Sequence, residues 1–215
     1  MKMQANRFGA IAGVATTVMV VAAFATSSPP PAVSAGGAPV VSFYTTHSSA
    51  QHTSDVLWIL GFGAFVFFAG WLRSLLRDEP VSEGFATTGL AGAAIAAAGA
   101  SVYFGLDYSL ASMPASIAPA AAQAVNLLAI QLYLPVGIGV VIFGLAMAVA
   151  ILKAHALPAW VGWTAFLVAL TAPAGPFSLV ALALWAGVVG VLAAIRRAST
   201  ASSGVTSPRV EMPLT

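Results

Sequence analysis

Along this chain, long apolar runs alternate with short interruptions rich in polar residues, glycine or proline. A hydrocarbon slab about 30 Å thick is crossed by roughly 20 mostly apolar helical residues. Six stretches approach that length: Phe8–Ala25, Val56–Leu72, Phe85–Leu106, Leu127–Leu152, Pro158–Ala172 and Phe177–Ile195. Between them lie the Pro/Gly/Ser-rich Ser27–Pro39, the charged Arg73–Glu83 with Pro80, and the polar Asp107–Pro119. Lys153–Leu157 and the Ala172–Pro176 turn signal complete the set. The pattern predicts an all-α integral membrane protein, six transmembrane helices in a compact bundle over residues 1–197. The Ser/Thr/Pro-rich segment 198–215 lacks apolar periodicity and is expected to be a disordered cytoplasmic tail. The fifth span is the shortest; even extended to Leu157–Ala174 it covers only about 27 Å.

Threading the six spans alternately places Lys2, Arg7, Arg73, Arg77, Lys153, Arg196, Arg197 and Arg209, all eight basic residues, on one side. The positive-inside rule makes that side cytoplasmic, with both termini there, outer loops at 26–55, 107–126 and 173–176, and a plasma-membrane location. The first span has an alternative reading as a signal peptide, with Lys2 and Arg7 before the apolar run and Ala23-Phe24-Ala25 as the cleavage pattern. Its apolar run exceeds the usual 7–15 or so residues, so a retained helix is expected; cleavage would leave five spans.

Composition sharpens this picture. The chain is 60% hydrophobic and 7% charged, against roughly 25% charged in ordinary soluble domains. Cysteine is absent, which excludes disulfides and thiolate metal sites, and a net charge of +2 gives no reason to expect a nucleic-acid partner. No ionisable residue falls in the middle of a proposed span, which argues against intramembrane ion relays and bound haem. No cofactor and no metal are therefore expected. The expected partners are the lipid bilayer and another membrane protein or a second copy of this chain.

Helices in lipid associate through close packing and hydrogen bonds, so small residues mark their contacts. The third span carries rows at four-residue spacing, Gly92/Ala96/Ala100 and Gly89/Ala93/Ala97, and is expected at the bundle centre. Gly144/Ala148 and Ala146/Ala150 in the fourth span, and Gly63 and Gly70 in the second, offer further small faces. Trp58, Phe62 and Phe65 share one helix face as a packing or lipid-facing stripe. Pro135 predicts a kink near Gln131–Pro135.

Candidate chemistry gathers at the outer ends. Val40–Ser54 reads as a short amphipathic or irregular segment leading to Ser54 as N-cap and Asp55 at the positive helix end. His47, His52, Asp55, Asp107, Asn126 and Gln131 form a candidate polar pocket for a small cation, a lipid headgroup or a small molecule. The alternative is that these groups only cap helices and meet interfacial water. Metalloprotease, nucleophile-elbow and phosphate-loop motifs are missing.

Asn6-Arg7-Phe8-Gly9, the outer Val41-Ser42-Phe43-Tyr44-Thr45-Thr46-His47, Leu72-Arg73-Ser74-Leu75 and Leu157-Pro158-Ala159-Trp160-Val161-Gly162-Trp163 resemble a group of uncharacterised multi-pass membrane proteins common in actinobacteria. The resemblance covers roughly residues 6–197. It implies a six-span helical protein in an actinobacterial plasma membrane and carries no activity. Two functional readings follow: a non-enzymatic binding or assembly partner in the membrane and, as the alternative, a small permease or a protein binding a small ligand or lipid through the outer pocket and the kinked fourth helix. An enzyme is disfavoured, since no nucleophile–base pair is visible.

Overall fold

The computed structural model describes residues 2–77 and 79–203. The regular structure of the described residues is all helical, with no strand: α1 (Lys2–Thr26), α2 (Gly37–Leu75), α3 (Pro80–Ser112), α4 (Pro119–Gln131), α5 (Tyr133–Ala154), α6 (Ala159–Leu170) and α7 (Pro176–Ser203), with a 3-10 turn at Ala172–Ala174. The side chains of Lys2, Arg7, Arg196 and Arg197, and residues 204–215 with Arg209, lie outside the described residues. Helix α7 continues to Ser203, so the helix enters the segment expected to be disordered.

Proline sets several starts. Pro80, Pro119 and Pro176 stand in the first turn of α3, α4 and α7, where a missing N–H costs nothing. The Glu79 carboxylate adds a cap by accepting the Ser82 N–H at 3.0 Å. Helix α5 ends at His155, whose φ of 51° is the left-handed turn that lets the chain double back into α6.

Five helical stretches are long and apolar enough to cross a bilayer: Phe8–Thr26, α2, α3, Pro119–Ala154 and Pro176–Ile195. The protein is thus a multi-pass helical membrane bundle. The fourth stretch is interrupted at Leu132, between α4 and α5, within the Gln131–Pro135 range where a kink was expected. Another expectation changes. The expected fifth span is the 12-residue α6, about 18 Å long. With the 3-10 turn it still returns the chain from the Lys153 end to the Pro176 end.

The largest correction concerns the expected outer loop 26–55. Only 27–36 connect α1 to α2, and the 39-residue α2 starts at Gly37. At about 58 Å it is nearly twice the thickness of the hydrocarbon slab, so it projects well beyond it. The projection is stable because α3 and α4 project with it. Val40 and Tyr44 of α2 pack with Leu110, Ala111 and Ala122 as a second apolar cluster.

Around the main core the helices close a ring in the order α1, α2, α3, α5, α6, α7 and back to α1. Phe65, Phe68, Phe143 and Trp185 fill its axis, with Phe65 and Phe143 centroids 4.7 Å apart and Phe143 and Trp185 5.8 Å apart. Helix α3 is a member of the ring and not its centre. Its Gly89, Gly92, Ala96 and Gly99 face inward, while Ala91, Ala94, Ile95 and Ala98 are exposed. Small residues on every side allowed approach from every side, but only one face is used. There α5 comes so close that a Cβ on Gly92 would lie 2.5 Å from the Phe143 nitrogen, and one on Gly139 would run into the Ala96 backbone.

Candidate ligand pocket

Asp55 is not at a helix start. Ser54 and Asp55 lie deep within α2, and the N-cap is Gly36. Ser54 donates its hydroxyl to the Ala23 carbonyl at 3.0 Å, tying α2 to α1. Asp55 lies about 27 Å along α2 from Arg73, nearly the hydrocarbon thickness, so it sits at the far margin of the slab from the basic end. Asp107 likewise lies within α3, which runs on to Ser112.

At this level the bundle opens into a cavity of about 490 Å³. Its floor and walls come from Asp55 and Trp58 of α2, Tyr103, Phe104 and Asp107 of α3, and Tyr133 of α5. Phe24 of α1 and Phe177 of α7 also line it, and Pro29 and Pro30 cover one side. Both acids are withdrawn from the surface, Asp55 at 1% and Asp107 at 6% exposure.

The two acids are held differently. Asp107 is fully engaged: the Tyr44 hydroxyl donates to Oδ1, and Gln51 Nε2 donates to Oδ2 at 2.9 Å. The same Gln51 accepts the Ser28 N–H on its Oε1 at 3.0 Å, so one amide links the α1–α2 connection to α3. Asp55 Oδ2, by contrast, is buried and accepts from no amide, hydroxyl or backbone donor; its carboxyl meets only that of Asp107. No Lys, Arg or His lines the cavity. Buried carboxylates normally face a cation or a full set of donors, and this pair has donors on only one member.

The aromatic wall is continuous. Trp58 and Phe104 stack with centroids 4.9 Å apart and planes 6° from parallel; Tyr103 meets Phe104 edge-on at 4.7 Å. Tyr133 is fixed by donating to the Gly175 carbonyl at 2.5 Å and lies 2.9 Å from Ser178 Oγ. Trp58, Phe62 and Phe65 all face the interior, so their stripe is packing and, at Trp58, pocket wall.

Of the six expected site residues, Asp55 and Asp107 meet in this cavity. His52 is near it in sequence but bonds Ser112 Oγ at 2.9 Å, and His47 lies 2.9 Å from the Phe43 carbonyl. Asn126 is buried outside the lining and donates to the Pro31 carbonyl at 3.4 Å, holding the segment that carries Pro29 and Pro30. Gln131 is exposed. Pro135 packs near Gly99 and is not part of the lining. Tyr44, Gln51, Trp58 and Tyr133 were not expected. The helical spacing of Tyr44, Gln51, Asp55, Trp58, Phe62 and Phe65 was the available signal, a single stripe running through the supposed loop.

Among the described residues no group of three or more His, Asp or Glu is arranged to hold a metal ion. No protein-family model, curated protein or solved structure matches the chain. The fold and composition define a multi-pass helical membrane protein.

Proposed function

We propose that this protein is a non-enzymatic integral membrane protein of the plasma membrane that binds a small ligand in the cavity between α2, α3 and α5. The observation that carries the reading is the 490 Å³ space whose lining holds six aromatic rings and two buried acids, one of them, Asp55, with an oxygen that no donor reaches. Its volume falls in the range of about 300–1,000 Å³ typical of ligand pockets. Buried polar atoms without a partner are rare; among the described side chains Trp71 Nε1 is in the same position, and it does not line this cavity.

Catalysis has little to work with here. Ser27 and Ser54 donate their hydroxyls to the Phe24 and Ala23 carbonyls, and no histidine stands beside them in the lining. A through-going permeation route finds equally little support. The void walled by Phe62, Phe65, Leu179 and Leu182, next along the bundle, holds only about 10 Å³, the scale of a single water. With Arg73, Arg77 and Lys153 at the opposite end, the positive-inside rule argues for the cavity on the outer face of the membrane.

The test is saturable binding to protein in lipid nanodiscs, screened with small neutral, anionic and cationic organic molecules. A 1:1 complex is expected with one charge class, weakened at least tenfold by Ser28→Trp, which fills the cavity beside the proline-covered side. No binding in any class, or binding indifferent to Ser28→Trp, overturns the reading.

A further inference from the structure

Resting on that reading, we infer that the ligand is an organic monocation, an ammonium on an apolar body, seated with its charge against Asp55 and its body against the Trp58 and Phe104 rings. Three features converge on this class. The cavity carries two acids and no base, so an anion would meet uncompensated like charge in a poorly solvated site. Asp107 already accepts from Tyr44 and Gln51, leaving Asp55, whose carboxyl meets only that of Asp107 and whose Oδ2 no donor reaches, as the acid open to a cation. Six aromatic rings share the remaining lining with prolines, serines, Gln51 and Leu179, and the faces of Trp and Tyr rings attract cations through their quadrupoles, most effectively for weakly hydrated ammonium groups.

A small inorganic cation fits less well. A divalent ion takes six to eight oxygen ligands or a tight octahedron; beside the two carboxyls, the Ser27, Ser54 and Tyr133 hydroxyls and Gln51 Oε1 are already engaged with the protein, and the cavity is far larger than such an ion. A proton alone would neutralise charge on the acids and leave the 490 Å³ without an occupant. The position of the site at the far margin of the hydrocarbon slab suits a molecule with one charged and one apolar end, whether a free amine or the ammonium of a lipid headgroup.

The experiment uses the full chain in phosphatidylglycerol nanodiscs, with empty discs as blank and three probes of nearly one shape. They are benzyltrimethylammonium, its neutral isostere neopentylbenzene and the anion benzylsulfonate. Equilibrium dialysis is expected to show saturable binding of the ammonium, at least tenfold tighter than either other probe, and at least a tenfold loss with Asp55→Asn. Because an amide at this position can still hydrogen-bond the Asp107 carboxyl that Asp55 meets, the variant is expected to keep the melting temperature of the parent. Should that variant fail to fold, the ammonium-against-isostere ratio on the unaltered protein decides the matter alone. Saturable binding of neopentylbenzene or benzylsulfonate as tight as the ammonium overturns the charge assignment and leaves the pocket reading standing. Binding of none of the three, while the wider screen finds another ligand, also overturns only the assignment. Silence in both overturns both. Repeating the measurement in phosphatidylcholine discs separates the two sources. Loss of probe binding assigns the site to a lipid headgroup, and retention assigns it to a free amine.

Discussion

Helix α3 takes part in two kinds of junction, and they differ in nearly every physical respect. From Ala86 to Ala100 its inward face is glycine and alanine, α5 lies against its backbone, and the adjoining bundle axis is filled by aromatic rings. From Tyr103 to Asp107 the same face carries rings and an acid, and the helices leave 490 Å³ between them. In lipid, where there is no escape from water to drive helices together, the first junction supplies adhesion through close approach. The second spends none of its surface that way. It keeps polar and aromatic groups in place through specific hydrogen bonds, which suits a site more than a seam. The difference teaches that the small-residue seam holds the bundle so that the wide end can stay open.

The comparison breaks first if the two ends do not face opposite sides of the membrane. The chain has no cysteine, so single cysteines report sidedness without background. With an impermeant maleimide on intact cells, Ser116→Cys near the cavity end is expected to label fully, and Ala156→Cys at the Lys153 end only after permeabilisation. The reverse pattern would invert the orientation. The next largest effect is on packing. Gly139→Val drives a side chain into the Ala96 backbone, and a destabilisation of about 3 kcal/mol or more is expected in detergent unfolding. Gly63 has open space around its Cβ position, so Gly63→Val should stay within about 0.5 kcal/mol.

The seam was far more legible in the sequence than the site. Gly92 and Ala96 announce close approach by their small-residue spacing, although their partner Gly139 lies outside the Gly144/Ala148 and Ala146/Ala150 rows expected in the fourth span; proline and charge mark most helix ends, because these signals act within one or two turns. Asp55 was misread for a local reason too. A Ser-Asp pair directly before an apolar run is what a capped helix start looks like. What overrides it lies far away: Gln51 and Tyr44 find their acceptor on Asp107, 56 and 63 residues on. Those partners give the polar stretch before Ser54 a reason to remain helical. His47 and Gln131 were grouped with the acids by depth, but depth does not fix azimuth, and each turns elsewhere. Helix α3 was expected at the centre because small residues permit contact; they do not require it.

The wide end can be tested by its own asymmetry. Asp107→Ala leaves the Tyr44 hydroxyl and the Gln51 amide without their acceptor in a buried setting, at about 1–3 kcal/mol for each orphaned donor. Asp55→Ala strands no amide or hydroxyl donor, since its carboxyl meets only that of Asp107, and is expected to cost less than half as much in the same unfolding assay. Equal losses would mean that both acids are structural and that the site distinction between them is wrong.

The smallest expected effect separates hydrogen bonds from packing as the source of adhesion. Ser54 donates to the Ala23 carbonyl at the wide end, and Ser82 donates to the Ala150 carbonyl at 2.5 Å near the basic end. Both are buried bonds between helices. The Ala23 carbonyl also accepts the Ser27 N–H at 2.9 Å, so removing the Ser54 hydroxyl does not strand it. Measured interhelical hydrogen bonds in membrane proteins average about 0.6 kcal/mol. Ser54→Ala and Ser82→Ala should each cost about that much, with no difference between the two ends. A loss of about 2 kcal/mol or more in both would transfer the adhesive role from the glycine seam to the hydrogen bonds. A large loss at Ser54 alone would mean that the wide end bears load as well as carrying the site.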